Sequence, residues 1–186
     1  MYRTFLLLML IGFSSLAQSK KISLTAVGFK EFVVLETPEK SKRAIFNSVK
    51  KWSEYNIRNA SKSNYSEIEN EFLAYKLIIR NAIDVGSGLM HQAYDIKYDV
   101  EIRIKENKFR IDLKIIDMPH VDGETESLLL TSNSFAHISI FKNNGKLKGA
   151  KRFQEMKSQI EESANNLIKS LEKAVNGDID YKKDEW

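Results

Sequence analysis

Between Tyr94 and Lys105 the chain alternates without a break. Tyr94, Ile96, Tyr98, Val100, Ile102 and Ile104 are interleaved with Asp95, Lys97, Asp99, Glu101, Arg103 and Lys105. Successive side chains of a strand point to opposite sides, so this period of two describes a strand with one face in a core and the other in water. Phe109, Ile111, Leu113 and Ile115 resume the pattern after a short break. A two-residue turn at Glu106-Asn107 pairs Ile104 with Phe109, Ile102 with Ile111 and Val100 with Leu113, which puts every apolar side chain on one face. A slip of one residue would expose them all. Ile102 and Leu113 are therefore expected in the core, with Glu101 and Asp112 in water. A sheet built on this hairpin is antiparallel and wet on one side.

The rest of the chain supplies cover for the apolar face. Gly28–Glu36 reads as a first strand, and Thr37-Pro38 as a helix start with Thr as N-cap and Pro in the first helical position. Ile45, Val49 and Trp52 follow at helical spacing, in a helix running to about Tyr55. Asn56–Asn64 is a polar loop. A short strand near Tyr65–Asn70 precedes a longer one in which Tyr75, Leu77 and Ile79 alternate with Lys76, Ile78 and Arg80, and Gly86-Ser87-Gly88 turns the chain. After Pro119 comes an acidic stretch, then extended pieces at Leu128–Leu130 and Phe135–Phe141, then a turn at Asn143-Asn144-Gly145. From about Lys151 to Val175, Phe153, Met156, Ile160, Ala164, Leu167, Ile168, Leu171 and Val175 recur at three and four, and Asn176-Gly177 stops the helix. The expected fold class is α+β: two layers, an antiparallel sheet of about five strands with two helices on one face.

Residues 1–17 read as a secretory signal peptide. Arg3 gives a positive start, Phe5–Phe13 is an apolar run too short to span a bilayer, and Ser15-Leu16-Ala17 offers small residues for cleavage before Gln18. The expected destination is the periplasm or the outside of the cell. Residues 18–186 then form a single domain with a polar insertion around 119–149 and a short charged tail ending in Trp186. The chain has no cysteine, which excludes disulfides, thiolate metal sites and cysteine nucleophiles. Its 29 basic residues barely exceed its 25 acidic ones and form no long run.

At this point the chain resembles the exported bacterial family of unknown function with a TATA-binding-protein-like fold. The resemblance is carried by the leader, the helix with Trp52, the hairpin EIRIKENKFRIDLKI with its Lys108-Phe109-Arg110 entry, and the Asp184-Glu185-Trp186 ending. It covers roughly Gly28–Ile116 and the closing helix more loosely. It implies the fold and no activity.

No catalytic, cofactor or metal residue is assigned. Ser87 lies near Asp84 and His91, but Val85 stands where a nucleophile elbow has Gly. His120, Asp122, Glu124 and Glu126, with His137 further on, could surround a cation but lack a diagnostic ligand spacing. The wet hairpin face carries Lys97, Arg103, Lys105, Lys108, Arg110 and Lys114 against Asp95, Asp99, Glu101 and Asp112, and no aromatic side chain for stacking on bases, so nucleic acid is not an expected partner. Arg103 faces Arg110 and Glu101 faces Asp112, which leaves the diagonals Arg103–Asp112 and Glu101–Arg110 to balance the charge. Trp52 belongs to the core, and Trp186 either docks on the protein or serves as a recognition tag. The expectation is a non-enzymatic binding or scaffolding module of the cell envelope. The alternative is an exported, hydrolase-like enzyme whose site is built from Asp, Glu, His and Tyr. Partner and oligomeric state are not encoded in any motif.

Overall fold

The computed structural model describes residues 21–56, 65–88, 91–123, 126–134 and 137–179. The expected leader, Glu124 and Trp186 lie outside them. The elements run β1 (Leu24–Thr25), β2 (Gly28–Phe29), β3 (Val33–Glu36), α1 (Lys42–Asn56), β4 (Tyr65–Ile68), β5 (Phe72–Val85), β6 (Gln92–Lys105), β7 (Lys108–Asp117), β8 (Leu129–Thr131), β9 (Ser139–Phe141) and α2 (Lys151–Asn176). Five strands form the main sheet in the order β3-β7-β6-β5-β4, and every pairing in it is antiparallel.

The central hairpin takes the register that parity dictates. Ile104 faces Phe109, Ile102 faces Ile111 and Val100 faces Leu113 across a turn at Glu106-Asn107, where Asn107 adopts φ 61°. Both helices lie on the apolar face. Ile45, Val49 and Trp52 of α1 and Met156, Ile160, Ala164 and Leu171 of α2 are fully buried against it. The Trp52 indole N–H donates to Ser170 Oγ at 3.0 Å, which ties the two helices together over Tyr75. Burial pushes the Tyr98 hydroxyl up to about 12, although Ser163 partly offsets this. Gly177, at φ 88°, ends α2 in a left-handed cap, with its N–H on Ala174 O and that of Asp178 on Lys173 O.

Four local expectations are corrected. The first strand is broken in two: Gly28, at φ 105°, folds Leu24 back onto Phe29, so β2 belongs to a small hairpin and only Val33–Glu36 joins the sheet. Helix α1 begins at Lys42, not Pro38. Thr37–Lys40 instead forms a turn clasping the hairpin tip, with Thr37 N–H on Asn107 O at 2.7 Å and Asn107 N–H on Lys40 O at 3.1 Å. Ser41 is the N-cap, its Oγ accepting from Ala44 N–H, and Glu106 accepts from Lys42 N–H. Leu113 is half-buried, because β3 covers β7 only as far as Ile111. Asp95, assigned to water by the alternation, is buried at 5% exposure.

Asp95 sits at an irregularity of β5. Arg80, Asn81 and Ala82 bulge between the pairs Ile79↔Ile96 and Ile83↔Tyr94. The Asp95 carboxylate accepts from the Asn81 backbone N–H and from Arg80, while its own N–H donates to Pro119 O. A bulge leaves backbone groups without ladder partners, and this side chain supplies one. Beyond Pro119 the chain returns to the core. Leu128, Ile140 and Phe141 are buried, and β8 and β9 pair in parallel.

The N-terminal strap is held by side chains of α2 acting as a strand partner. The Asn165 amide accepts from Ile22 N–H and donates to Ile22 O, while Glu161 accepts from Leu24 N–H and from Ser23. Gln159 makes the same paired contact with the backbone of Asp84. Burial alone would raise the Glu161 carboxyl, but Lys157, Leu24 N–H and Ser23 together hold it below its ordinary value.

Candidate binding face

The registers assemble the open face of the sheet into rows. Glu36, Lys108 and Lys105 form the row at the hairpin tip. Next come Val34, Arg110, Arg103, Phe72 and Ile68. Asp112, Glu101, Ala74 and Ser66 follow, then Lys114, Asp99 and Lys76, and then Asp117, Lys97 and Ile78. Same-face neighbours along a strand are separated by about 7 Å, twice the rise per residue.

The hairpin arginines are balanced along their own strands, not across the diagonals expected from the sequence. Arg110 forks onto Asp112, with Nε–Oδ2 at 2.8 Å and Nη2–Oδ1 at 3.0 Å, and Arg103 reaches Glu101 at 3.3 Å. Lys97 pairs with Asp117 at 3.0 Å. Burial would raise the Asp117 carboxyl, but the Lys97 ammonium and hydrogen bonds from Ser127 and Met118 hold it below the ordinary range. These pairs are partly or largely solvated and contribute little to stability one by one.

The face also carries aromatic rings, contrary to the expectation from the hairpin alone. The Arg110 guanidinium lies 3.7 Å from the ring centroid of Phe32, just ahead of β3, and that of Arg103 lies 5.8 Å from Phe72 of β5. Phe32, Ile68 and Ile78 are all exposed, Ile68 at 58%. Lys42, Ile68, Glu71, Phe72, Arg103, Ile104 and Lys105 line an open cleft of about 500 Å³ beside the hairpin tip. Sequence reasoning missed Phe72 and Ile68. Their signal was the parity of Leu73, Tyr75 and Leu77, which sends Phe72 to the opposite face, and the tight turn at Asn70, φ 61°, which places Ile68 opposite Phe72.

The other candidates separate into pairs. His91 Nε2 lies 2.7 Å from Asp84 Oδ1 on an exposed corner. No hydrogen bond joins Ser87 to this pair among the described residues. His120 pairs with Asp122 at 2.8 Å and sets its ring edge against Tyr94, while His137 pairs with Glu126 at 2.5 Å. Among the described residues no three metal-ligating side chains come together. No described helix is long and apolar enough to cross a membrane.

Residues 32–118 match the family described as a domain of unknown function (DUF4468) with TBP-like fold. None of the curated proteins matches the sequence significantly. Two crystal structures share the fold. One is a TBP-like protein from Parabacteroides distasonis, at 15% identity and TM-score 0.52, covering 78% of this chain and 91% of that one. The other is a DUF4468 family protein from Bacteroides ovatus, at 11% identity and TM-score 0.54, covering 82% and 88%. In both, the shared fold takes in a larger share of the chain than residues 32–118. Residues 32–118 are thus similar to the DUF4468 family, and the chain shares the TBP-like fold of these neighbours.

Proposed function

We propose that this chain is an exported, non-enzymatic binding module of the bacterial cell envelope, and that it meets its partner through the open face of the five-stranded sheet. The observation that carries this reading is the face itself. Phe32, Ile68 and Ile78 stand exposed among paired charges, while the opposite face is sealed by α1 and α2. Phe32 with Val34 at one edge strand and Ile68 beside Phe72 at the other flank the central charges, and exposed apolar side chains rimmed by polar ones mark interaction sites. The export half of the reading rests on the layout of residues 1–17. Nucleic acid is a poor fit, because Asp112, Glu101 and Asp99 run through the middle of the face and would repel phosphates.

The test is recovery of the tagged protein from its native envelope, with intact mass to locate its first residue. The reading expects a chain starting at or near Gln18 and a partner whose recovery falls on charge reversal at Arg103 and Arg110. Retention of residues 1–17 would remove the export half. Partner recovery indifferent to the face would remove the other.

A hydrolase-like enzyme is the second reading, and it draws on one observation: each of the three histidines is paired with a carboxylate. Such pairs orient a general base, but a base also needs a nucleophile or substrate proton within hydrogen-bond reach. This reading expects His91→Ala, His120→Ala or His137→Ala to abolish the cellular phenotype at unchanged melting temperature. The binding-module reading expects all three to complement.

A further inference from the structure

We infer that the hairpin end of the open face binds an acidic, extended peptide segment of a partner protein. This deepens the binding-module reading and rests on it. Lys105 stands directly opposite Lys108, and Arg103 directly opposite Arg110, so four cations occupy two adjoining rows. Like charges opposite each other in a sheet are unfavourable, and here they are stacked two deep. Glu101 and Asp112 engage the arginines from one side only, toward the middle of the sheet. Among the described residues no ion pair reaches Lys105 or Lys108, and Glu36 is the only carboxylate in their row. Arg110 is also seated over the Phe32 ring and Arg103 lies at the outer reach of Phe72, contacts that consume none of their donors.

Spacing selects the form of the ligand. The two cation rows lie about 7 Å apart, which is also the separation of same-side residues in an extended chain. Carboxylates at alternate positions of such a peptide meet the Lys105–Lys108 row and the Arg103–Arg110 row in turn. The cleft bounded by Ile68, Phe72 and Arg103 takes an adjacent aliphatic side chain. A flat anionic surface fits less well, because it would also be laid over the Asp112–Glu101 row and over Asp99. A narrow chain stays on the two cation rows and leaves the acids in water.

The probe is a labelled ten-residue peptide with Glu at alternate positions, Ser between them and one central Leu, titrated by fluorescence anisotropy. Its control carries Gln in place of Glu. The expected result is saturable binding by the Glu peptide alone, weakened about tenfold or more by R103E/R110E, with R103Q/R110Q intermediate. Phe72→Ser weakens it several-fold, whereas Lys76→Glu, further along the same face, changes it by less than about twofold. Thermal melts matched among the variants exclude unfolding as the cause. Absence of saturable binding, equal binding of the Gln peptide, or equal loss with Lys76→Glu overturns the inference. So does sedimentation with phosphatidylglycerol vesicles that R103E/R110E abolishes, since that assigns the patch to lipid. If the probe fails while recovery of the envelope partner still depends on Arg103 and Arg110, the ligand class is wrong and the binding module stands. If neither depends on them, both fall.

Discussion

On one face of the five-stranded sheet Tyr75, Tyr98, Val100, Ile102 and Ile111 are closed off beneath two helices, whereas on the other Phe32, Ile68 and Ile78 remain in water among paired charges. Both faces are written by the same alternation along the same strands. What differs is the source of their neighbours. The covered face is completed by α1 and α2, whose apolar stripes can be read one residue at a time. The open face is completed only by lateral pairing, which brings Phe72 beside Arg103 and Val34 beside Arg110 from distant parts of the chain. A covered face is thus a property of local periodicity, and an open face is a property of register.

Substitutions break or sharpen that contrast. Ile102→Ala removes a fully buried side chain and is expected to cost about 2–5 kcal/mol in a denaturant melt. Leu113→Ala, on the same face but half-buried, is expected to cost about 1–2 kcal/mol. Equal losses would mean that the covered face extends further along β7 than its exposure indicates. Asp95→Ala tests the exception on the other face. It strips the bulge of its acceptor and is expected to cost about 1–3 kcal/mol, where a solvated position would cost almost nothing.

A fourth effect is pH-dependent and belongs to the outer side of α2. The Glu161 carboxyl is held below its ordinary value of 4.5, so its contribution is complete above that value and is lost as pH falls through its lower folded value. Thermal melts from neutral pH down to strong acid should show a steeper acid decline for the native chain than for Glu161→Gln. Identical slopes would deny the clamp on Leu24 any role in stability. The smallest change is Glu101→Gln, expected to shift stability by less than about 0.5 kcal/mol, as a half-exposed charge on the open face should. A larger loss would make the along-strand pair with Arg103 structural and narrow the distinction between the faces.

The elements with long, uninterrupted periodicity were legible. The β6–β7 register followed from parity alone, and α2 was readable from Lys151 to its glycine stop because its stripe is never broken. Thr37-Pro38 misled because it is sound helix-start chemistry in the wrong place. The contact that outbids it is a pair of backbone bonds to Asn107, and no local pattern encodes a bond across that separation. Asp95 misled for a related reason: its parity says water, but the bulge at Arg80–Ala82 and the chain at Pro119 fold over it. The open face was half legible. Its hairpin charges were named in advance, whereas Phe32, Ile68 and Phe72 arrive through pairings that only the folded sheet reveals.

The clamp between Ile22 and Asn165 joins residues 143 positions apart. A chain is made from its N-terminus, so the α2 side chains that hold Ile22 and Leu24, both part of the finished core, arrive only after most of the described residues have been synthesised. The first described segment therefore settles late, and its clamp closes the longest hydrogen-bonded separation among the described residues. Until that clamp closes, Ile22 and Leu24 lack the α2 hydrogen bonds that hold their backbone in the finished core.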